Sequence, residues 1–563
     1  MLKIPYGISD FRKIREDNYY YVDKTMYLSK LETEGDVLAC FRPNRFGKSL
    51  FISMMYYYYD VNSKKLFKDL FKGTYVSDEV TVKKNSYYVL RFDFSNINVT
   101  GISVLDIERE FLVKVIDGIS KFNADYGVEA KTDYSNVTPS GVLLEFLAYF
   151  RSLNLEHKLY IMIDEYDNFA NVLLVNDRLK FRDMVGSEGF VSNFYGVIKE
   201  YYGLGVVDKV FITGECPVML EAMTVDFNTY IDISRDSRFS AMMGLENEEV
   251  LKMLEEVSID NRDKLFKVML DNYAGYRFDD YGEIKVFNPM MVMYFMREYN
   301  KNLRRTNSIL DINSAVGYGK IDALLKLSNN KYYQEVIDSL LKRGKITGQL
   351  PIMGNVNEDF GKNDIIGLLY YSGYLTISEL GFGKNIFFGV PNYAMGELYG
   401  SYFNKMLRDI GAVLDNDAIN GILKEILLEG KIEKLSRYVE TILKYVDNKL
   451  FMKVDEQFIK LIYYVLLSGS HELYVYNDYK CGSGEVDLML FKNIEMCKND
   501  IMIEVRHLNS KDRINKKLID KIRKGAEDEL IVCQEDEMID KKSLRKFVVI
   551  FSGSSLMGIE ELI

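Results

Sequence analysis

Along the first 240 residues, short apolar runs alternate with stretches whose apolar positions recur every three or four residues. The runs are Val37-Leu38-Ala39-Cys40-Phe41, Tyr88-Val89-Leu90-Arg91-Phe92, Leu159 to Ile163 and Val210-Phe211-Ile212-Thr213. Such runs describe strands covered on both faces, and strands separated by helical periods predict a parallel sheet flanked by helices. From Leu245-Glu246-Asn247-Glu248-Glu249-Val250 the period becomes helical and predicts a small helical subdomain ending near residue 300. Residues 301–400 read as helical with a short strand pair near Leu375 and Phe387. Beyond 400, helices lead into a strand-rich segment from Leu473 to Ile503, then a charged helix and a last strand, Phe547 to Phe551. The expected division is therefore 1–244, 245–300, 301–400 and 401–563. Only seven prolines occur and no Pro/Gly/Ser-rich linker, so changes of period set these boundaries.

Length and composition narrow the classes. A chain of 563 residues is several times what one core needs and predicts three or four packed units. Apolar residues at 48% and charged residues at 28% argue against disorder. With 72 Lys+Arg against 83 Asp+Glu, the net charge of −11 excludes a chain-wide basic surface, so nucleic-acid binding would have to be local. No apolar run approaches the roughly 20 residues of a membrane span, and the opening MLKIPYGISDF lacks a signal-type apolar core. An intracellular, cytoplasmic protein with no membrane partner is expected. The five cysteines lack CxxC spacing and only His157, His471 and His507 accompany them, which argues against structural zinc. The tyrosine run Tyr56 to Tyr59 reads as core packing in preference to a base-stacking platform.

The first chemical signal is Phe41-Arg42-Pro43-Asn44-Arg45-Phe46-Gly47-Lys48-Ser49-Leu50, with a strand running in and an amphipathic helix running out. Triphosphate binding needs this geometry: backbone N–H groups at a helix N-terminus cradle phosphates, a lysine reaches the β/γ oxygens and a hydroxyl ligates Mg²⁺. Lys48 and Ser49 fit those roles, and Arg42 stands where GxxxxGK[ST] has its first glycine. The second signal is Leu159-Tyr160-Ile161-Met162-Ile163-Asp164-Glu165-Tyr166-Asp167, a buried strand delivering two carboxylates to the sheet edge. Asp164 would hold Mg²⁺ through water and Glu165 would polarise the attacking water. Taken alone, the same pattern is a strand ending in an acidic turn. Thr213 closes another strand, either contacting a γ-phosphate or its water or standing as a plain strand-end hydroxyl.

These motifs, with Ile4-Pro5-Tyr6-Gly7-Ile8, Tyr21-Val22-Asp23-Lys24-Thr25, Phe211-Ile212-Thr213-Gly214, Gly275-Tyr276-Arg277-Phe278, Asn288-Pro289 and Ser372-Gly373-Tyr374-Leu375-Thr376, run in family order along nearly the whole chain. The chain resembles the proteins that join an AAA-ATPase-like domain to a C-terminal PD-(D/E)XK nuclease-like domain. The resemblance implies a P-loop, AAA-like parallel sheet with a helical lid, then a helical region and an α/β restriction-endonuclease-like domain. It implies ATP and Mg²⁺ as cofactors, with Arg45, Phe46, Gly47, Lys48, Ser49 and Asp164 binding the nucleotide. Glu165, Thr213 and Arg277 would act on it, Arg277 as a charge-stabilising arginine from the lid; packing on Tyr276 is the alternative. Arg42 is the family's own habit. Asn44 replaces a frequent family arginine and implies weaker phosphate binding.

The nuclease-like pattern wants an Asp on one strand, Glu-x-Lys on the next and a helix acid, together holding Mg²⁺. Gly484-Glu485-Val486-Asp487 and Ile503-Glu504-Val505-Arg506 supply Asp487 and Glu504, and Glu456 resembles the helix acid. Glu485 points to the other side of its strand. Arg506 occupies the lysine position, and Ser554 follows Phe551-Ser552-Gly553 where the family often has lysine, so a weakened or inactive nuclease is expected. Lys511, Arg513, Lys516, Lys517, Lys521, Arg523 and Lys524 form a basic run, either a solvated face or a track for a nucleic-acid backbone. The leading expectation is an ATPase that gates this nuclease-like domain, with ATP and nucleic acid as partners and oligomerisation left open. The rivals are a non-catalytic nucleotide-dependent switch or scaffold, and an interaction protein in which both sites are relics.

Overall fold

The computed structural model describes residues 3–562 apart from 129–137, 187, 220–229, 257–261, 281–282, 302–316, 326, 328–331, 333–334, 338, 341–343, 351–359, 382–384, 410–413, 448–453, 469–472, 482–483, 493–497, 509–515, 535–538 and 540. The chain divides into two compact units. The first comprises 1–306, 323–333 and 347–392; the second comprises 307–322, 334–346 and 393–563. The segment read from sequence as a separate lid therefore packs with the first unit, as does the strand pair Thr376–Leu380 and Ile386–Gly389.

The first unit is built on five parallel strands: β1 (Val37–Phe41), β2 (Tyr87–Asp93), β3 (Lys158–Asp164), β4 (Val207–Gly214) and β5 (Ile231–Asp232), in the order β2-β3-β4-β1-β5. All five residues of β1 are buried, and β3 and β4 are buried almost throughout. Continuous burial means both faces are covered, which is why these strands read as unbroken apolar runs. The helix Val104–Tyr126 packs on β2. It starts at a Ser103 cap and stops at Gly127 in the left-handed region. Phe92, Phe94, Phe111 and Phe194 interlock where it meets the sheet. Of the tyrosine run, Tyr58 and Tyr59 are core residues, while Tyr56 and Tyr57 are half-buried.

Because β4 lies between β1 and β3, the strand that feeds the phosphate loop and the strand that ends in Asp164 are next-nearest neighbours. Their carboxyl ends open onto one edge, the place where open α/β sheets put their ligands.

The second unit stacks helices, among them Tyr393–Asp409, Asn416–Glu429, Glu433–Asp447 and Glu456–Ser468, with a five-stranded mixed sheet. Across that sheet the order is Ser555–Leu562, Leu544–Ser552, Asp500–Leu508, Gly484–Lys492, Leu473–Cys481. Only Asp500–Leu508 and Leu544–Ser552 run parallel, and helix Lys516–Cys533 makes their crossover. The sequence pattern ended at Phe547–Phe551, but Ser555–Leu562 folds back as a further edge strand. Its half-exposed positions show no period-two alternation, so nothing in the pattern marked it. A disulfide joins Cys481 to Cys533 across 52 residues, a pairing that spacing alone could not reveal.

Among the described residues no helix is long and apolar enough to cross a membrane.

Candidate functional site: a lysine and two carboxylates at one sheet edge

The loop after β1 turns sharply because two residues take left-handed backbone angles, Arg45 at φ 74° and Gly47 at φ 93°. The helix Lys48–Tyr59 begins immediately after, so its unpaired N–H groups face the loop. Lys48 is buried and its Nζ donates to the Arg42 carbonyl at 3.1 Å and to Asn44 Oδ1 at 3.1 Å. It also stands 3.4 Å from Glu165 Oε1. The two motifs, 117 positions apart in the numbering, thus share one crevice. Ser49, Asp164 and Glu165 line the same cavity.

Thr213 at the end of β4 is fully buried and donates to Asp164 Oδ1 at 2.8 Å. The strand order makes this contact possible, because β4 flanks β3. Asp164 also accepts from the Glu165 N–H at 3.1 Å. Both donors are neutral, and among the described residues no cation pairs with Asp164, so its charge is free to meet a cation. Glu165 sits at φ 50°, a left-handed angle uncommon for a residue with a side chain.

Asp167 is fully buried and accepts from the Glu215 and Cys216 N–H groups and from Asn171 Nδ2. It ties the turn after β3 to the turn after β4. Burial, reinforced by the nearby Glu165 and Glu215 carboxylates, pushes it up to about 7. Asn44 joins the same web: its Nδ2 donates to Glu215 Oε2 at 2.9 Å while its Oδ1 holds Lys48. Neither role was visible in sequence; residues that brace a site carry no motif of their own.

The loop is gripped from the lid side. Arg42 is fully buried, donating to the carbonyls of Phe41, Ser234 and Phe239, with its guanidinium 4.3 Å over the Phe278 ring. Phe46 is buried between the edges of Tyr276 and Phe278, at centroid distances of 4.9 and 5.2 Å. Phe46 therefore serves the loop as a packing anchor. Gly373, at φ 80°, approaches so closely that an added Cβ would lie 2.9 Å from Pro43 Cβ. Arg277 alternates away from Tyr276 and Phe278; its guanidinium donates to the carbonyls of Asp279 and Asp280. In this structure it braces its own turn. Beside Gly47 a small apolar slot of about 90 Å³ is lined by Val22, Phe46, Leu50, Met242, Leu245 and Met293, among others.

In the second unit, Asp487 and Glu504 lie on adjacent antiparallel strands and their groups interlock. The Asp487 N–H donates to Glu504 Oε2 at 3.3 Å and the Val505 N–H to Asp487 Oδ2 at 2.7 Å. Arg506 reaches both carboxylates and donates to Glu529 at 2.6 Å. Glu456 accepts from the His507 N–H at 3.1 Å, next along the strand from Arg506, so Asp487, Glu504 and Arg506 meet directly while Glu456 binds the adjacent backbone. Lys460, one turn after Glu456 on the same helix, adds a buried ammonium 2.9 Å from Asp487 and bonded to Asp478. Its i+4 spacing from Glu456 was the missed signal. Asp487 and Asp478 push the Lys460 ammonium well above the usual lysine range against the cost of burial. Burial, then the neighbouring Asp487 charge, pushes Glu504 above the usual carboxylate range. Among the described residues no three His, Cys, Asp or Glu groups stand close enough to share a metal ion, and two cations occupy the space between the carboxylates. Of the basic run, 509–515 with Lys511 and Arg513 lie outside the described residues, and Arg523 is paired with Glu527 and Glu560.

Residues 5–224 match the model of the family described as Predicted AAA-ATPase. The chain is also similar to a protein of Azotobacter chroococcum mcd 1 described as "Uncharacterized protein in vnfD 5'region", 25% identical over 387 residues. That match covers 67% of this chain and 64% of the relative, a little under two thirds of the relative's length. With the sheet, the phosphate-type loop and the carboxylate pair in place, residues 5–224 form an AAA-ATPase-like domain.

Proposed function

We propose that this chain binds ATP with Mg²⁺ and hydrolyses it. The observation that carries this reading is the meeting of Lys48 and Glu165 at 3.4 Å beside an Asp164 held by Thr213. The N–H groups opening the Lys48 helix would take the β-phosphate, and Lys48 would leave the loop carbonyls for the β/γ oxygens. Ser49 and Asp164 fit Mg²⁺: a hydroxyl and a carboxylate without a cationic partner on one cavity wall, the oxygen set that ion prefers. When bound, the ion would neutralise charge on the phosphates. Glu165 would orient and deprotonate the attacking water. The apolar slot beside Gly47 suits the flat face of a nucleobase. Calorimetric titration with ATP and Mg²⁺ tests the reading. Wild type should saturate, and Lys48→Ala should lose about tenfold or more in affinity, the worth of a charge-assisted contact. Equal affinity in both proteins would remove the nucleotide site from this loop.

For the second unit we infer a nuclease-like domain with a compromised centre, whose activity, if retained, ATP turnover would gate. The support is the interlocking of Asp487, Glu504 and Arg506, with Glu456 on the neighbouring His507 N–H and Lys460 supplying from the helix the ammonium absent from the strand. Arg506 and Lys460 would have to yield before Asp487 and Glu504 could take up Mg²⁺. Incubating DNA and RNA with Mg²⁺ or Mn²⁺ decides the matter. Any cleavage by wild type should vanish in both Asp487→Ala and Lys460→Met, while cleavage that survives Asp487→Ala would dissociate it from this centre.

A further inference from the structure

The Lys48 ammonium has three protons to donate, and its own loop already engages them. Nζ donates to the carbonyls of Arg42 at 3.1 Å and Pro43 at 3.4 Å and to Asn44 Oδ1 at 3.1 Å, while Glu165 faces it at 3.4 Å. Two of these partners are backbone oxygens, fixed by the turn. Asn44 is a side-chain amide, which holds a lysine only if its own orientation is held. Its Nδ2 donates to Glu215 Oε2 at 2.9 Å. With a carboxylate on one side and an ammonium on the other, the amide fits in one orientation, oxygen toward Lys48.

Glu215 is held in turn. Its N–H lies 3.0 and 3.1 Å from the two oxygens of buried Asp167, in the turn after β3, and the Cys216 N–H donates to the same carboxylate at 2.7 Å. The Tyr166 hydroxyl closes the clasp, donating to the Cys216 carbonyl at 2.7 Å. The two turns lie so close that a Cβ on Gly214 would collide with Asp167 Oδ1 and the Tyr166 ring. The Arg42 N–H donates to the Gly214 carbonyl at 3.1 Å, which ties the start of the loop to the same turn. One frame therefore holds Lys48 from two sides: Glu165 from the turn after β3, and Glu215, through Asn44, from the turn after β4. Lys48 and Glu215 are buried, whereas Asn44 between them is open to solvent. A group arriving from solvent can displace this amide and leave the frame intact.

We propose that Glu215 and Asn44 hold Lys48 back from the phosphate position and thereby set how tightly the loop binds nucleotide. Glu215 is a positioning residue that acts on Lys48 through the Asn44 amide. The effect on affinity rests on the ATP reading; the hold on Lys48 does not. The ammonium must leave these oxygens before it meets a β- or γ-phosphate. Weakening the hold should therefore tighten binding, the reverse of what truncating a phosphate-loop side chain ordinarily does.

Two measurements on the full chain test this. The first needs no nucleotide: limited acetylation with an N-hydroxysuccinimide ester, read at Lys48 by peptide mass spectrometry. Lys24, buried and held by Glu249 and the Ala241 carbonyl, is the internal standard. Glu215→Ala and Asn44→Ala should each raise Lys48 labelling several-fold while Lys24 stays as in wild type. Glu215→Gln, which keeps an oxygen for the Asn44 amide, should bring Lys48 labelling back to near the wild-type extent. Asn44→Ala alters an exposed position and decides the matter should Glu215→Ala not fold. The second measurement is calorimetric titration with ATP and Mg²⁺, in which the alanine variants should bind about three- to tenfold more tightly than wild type, the release of one charge-assisted contact. Unchanged Lys48 labelling in either folded alanine variant, an equal rise at Lys24, or labelling in Glu215→Gln as fast as in Glu215→Ala would overturn the proposal. So would ATP affinity equal to or weaker than wild type in a variant whose Lys48 is freed. Freed Lys48 with no ATP binding by any of these proteins would remove the nucleotide reading, and the affinity effect with it, while the hold on Lys48 stands.

Discussion

Glu165→Gln should lower ATP turnover by about 10²–10³-fold while ATP binding stays near wild type, the signature of a lost general base. The amide keeps the shape and still accepts a hydrogen bond, but it cannot take a proton from water. Glu165 also sits opposite Lys48 at 3.4 Å, so neutralising it removes a partner of the ammonium. That change frees Lys48 for phosphate and acts in favour of binding, which sets the variant apart from Lys48→Ala, where binding falls. Steady-state phosphate release and equilibrium ATP titration on one preparation resolve the two effects. Turnover equal to wild type would mean that another group activates the water. The role of Thr213 follows from the same geometry. Its hydroxyl fixes the Asp164 carboxylate from a buried position.

β1, β3 and β4 were legible because each is buried on both faces, which leaves an unbroken apolar run in the sequence, while β2, exposed at Arg91 and Asp93, was legible from the apolar residues around Arg91. β5 is two exposed residues and left no such run. Lys48, Ser49, Asp164 and Glu165 were legible because they stand where apolar strand runs give way to a helix start or an acidic turn, and such changes of pattern are findable. What escaped was the bracing. Asp167 and Arg42 hold turns together through backbone groups, and a backbone partner has no residue identity to read, while Asn44 does so through Glu215 and Lys48 side chains brought together only by the fold. Lys460 escaped for a different reason. The expected lysine was sought on the strand of Glu504, whereas space is indifferent to which element carries an ammonium, and the helix of Glu456 supplies one to Asp487. The gathering of Asp487, Glu504 and Arg506 was anticipated from alternation along two strands, yet sequence could not show that two cations fill the space among the carboxylates.

Arg42→Gly restores the usual first glycine of the phosphate-loop motif, and it should nonetheless harm the protein. Read as a motif, Arg42 is a defect; in the folded chain it ties the loop to the Ser234 and Phe239 carbonyls and to the Phe278 ring. Its guanidinium satisfies the carbonyls of Phe41, Ser234 and Phe239 and lies on Phe278, the ring that also flanks Phe46. Glycine would take this donor from the Phe41 and Ser234 carbonyls, leave the Phe239 carbonyl with the Met242 N–H alone, open a void the size of a long side chain and loosen the backbone before Lys48. An orphaned buried acceptor costs about 1–3 kcal/mol and a large-to-small core change about 2–5 kcal/mol, and the two overlap at one site, so a loss of about 3–5 kcal/mol is expected. Chemical denaturation should show it as a lower midpoint for the nucleotide-binding unit. ATP affinity should fall with it, because Lys48 takes its present position from the Arg42 carbonyl at 3.1 Å and the loop that carries it would no longer be fixed. A variant as stable as wild type with tighter ATP binding would show that the glycine was missing after all and that the clasp on Phe278 contributes nothing.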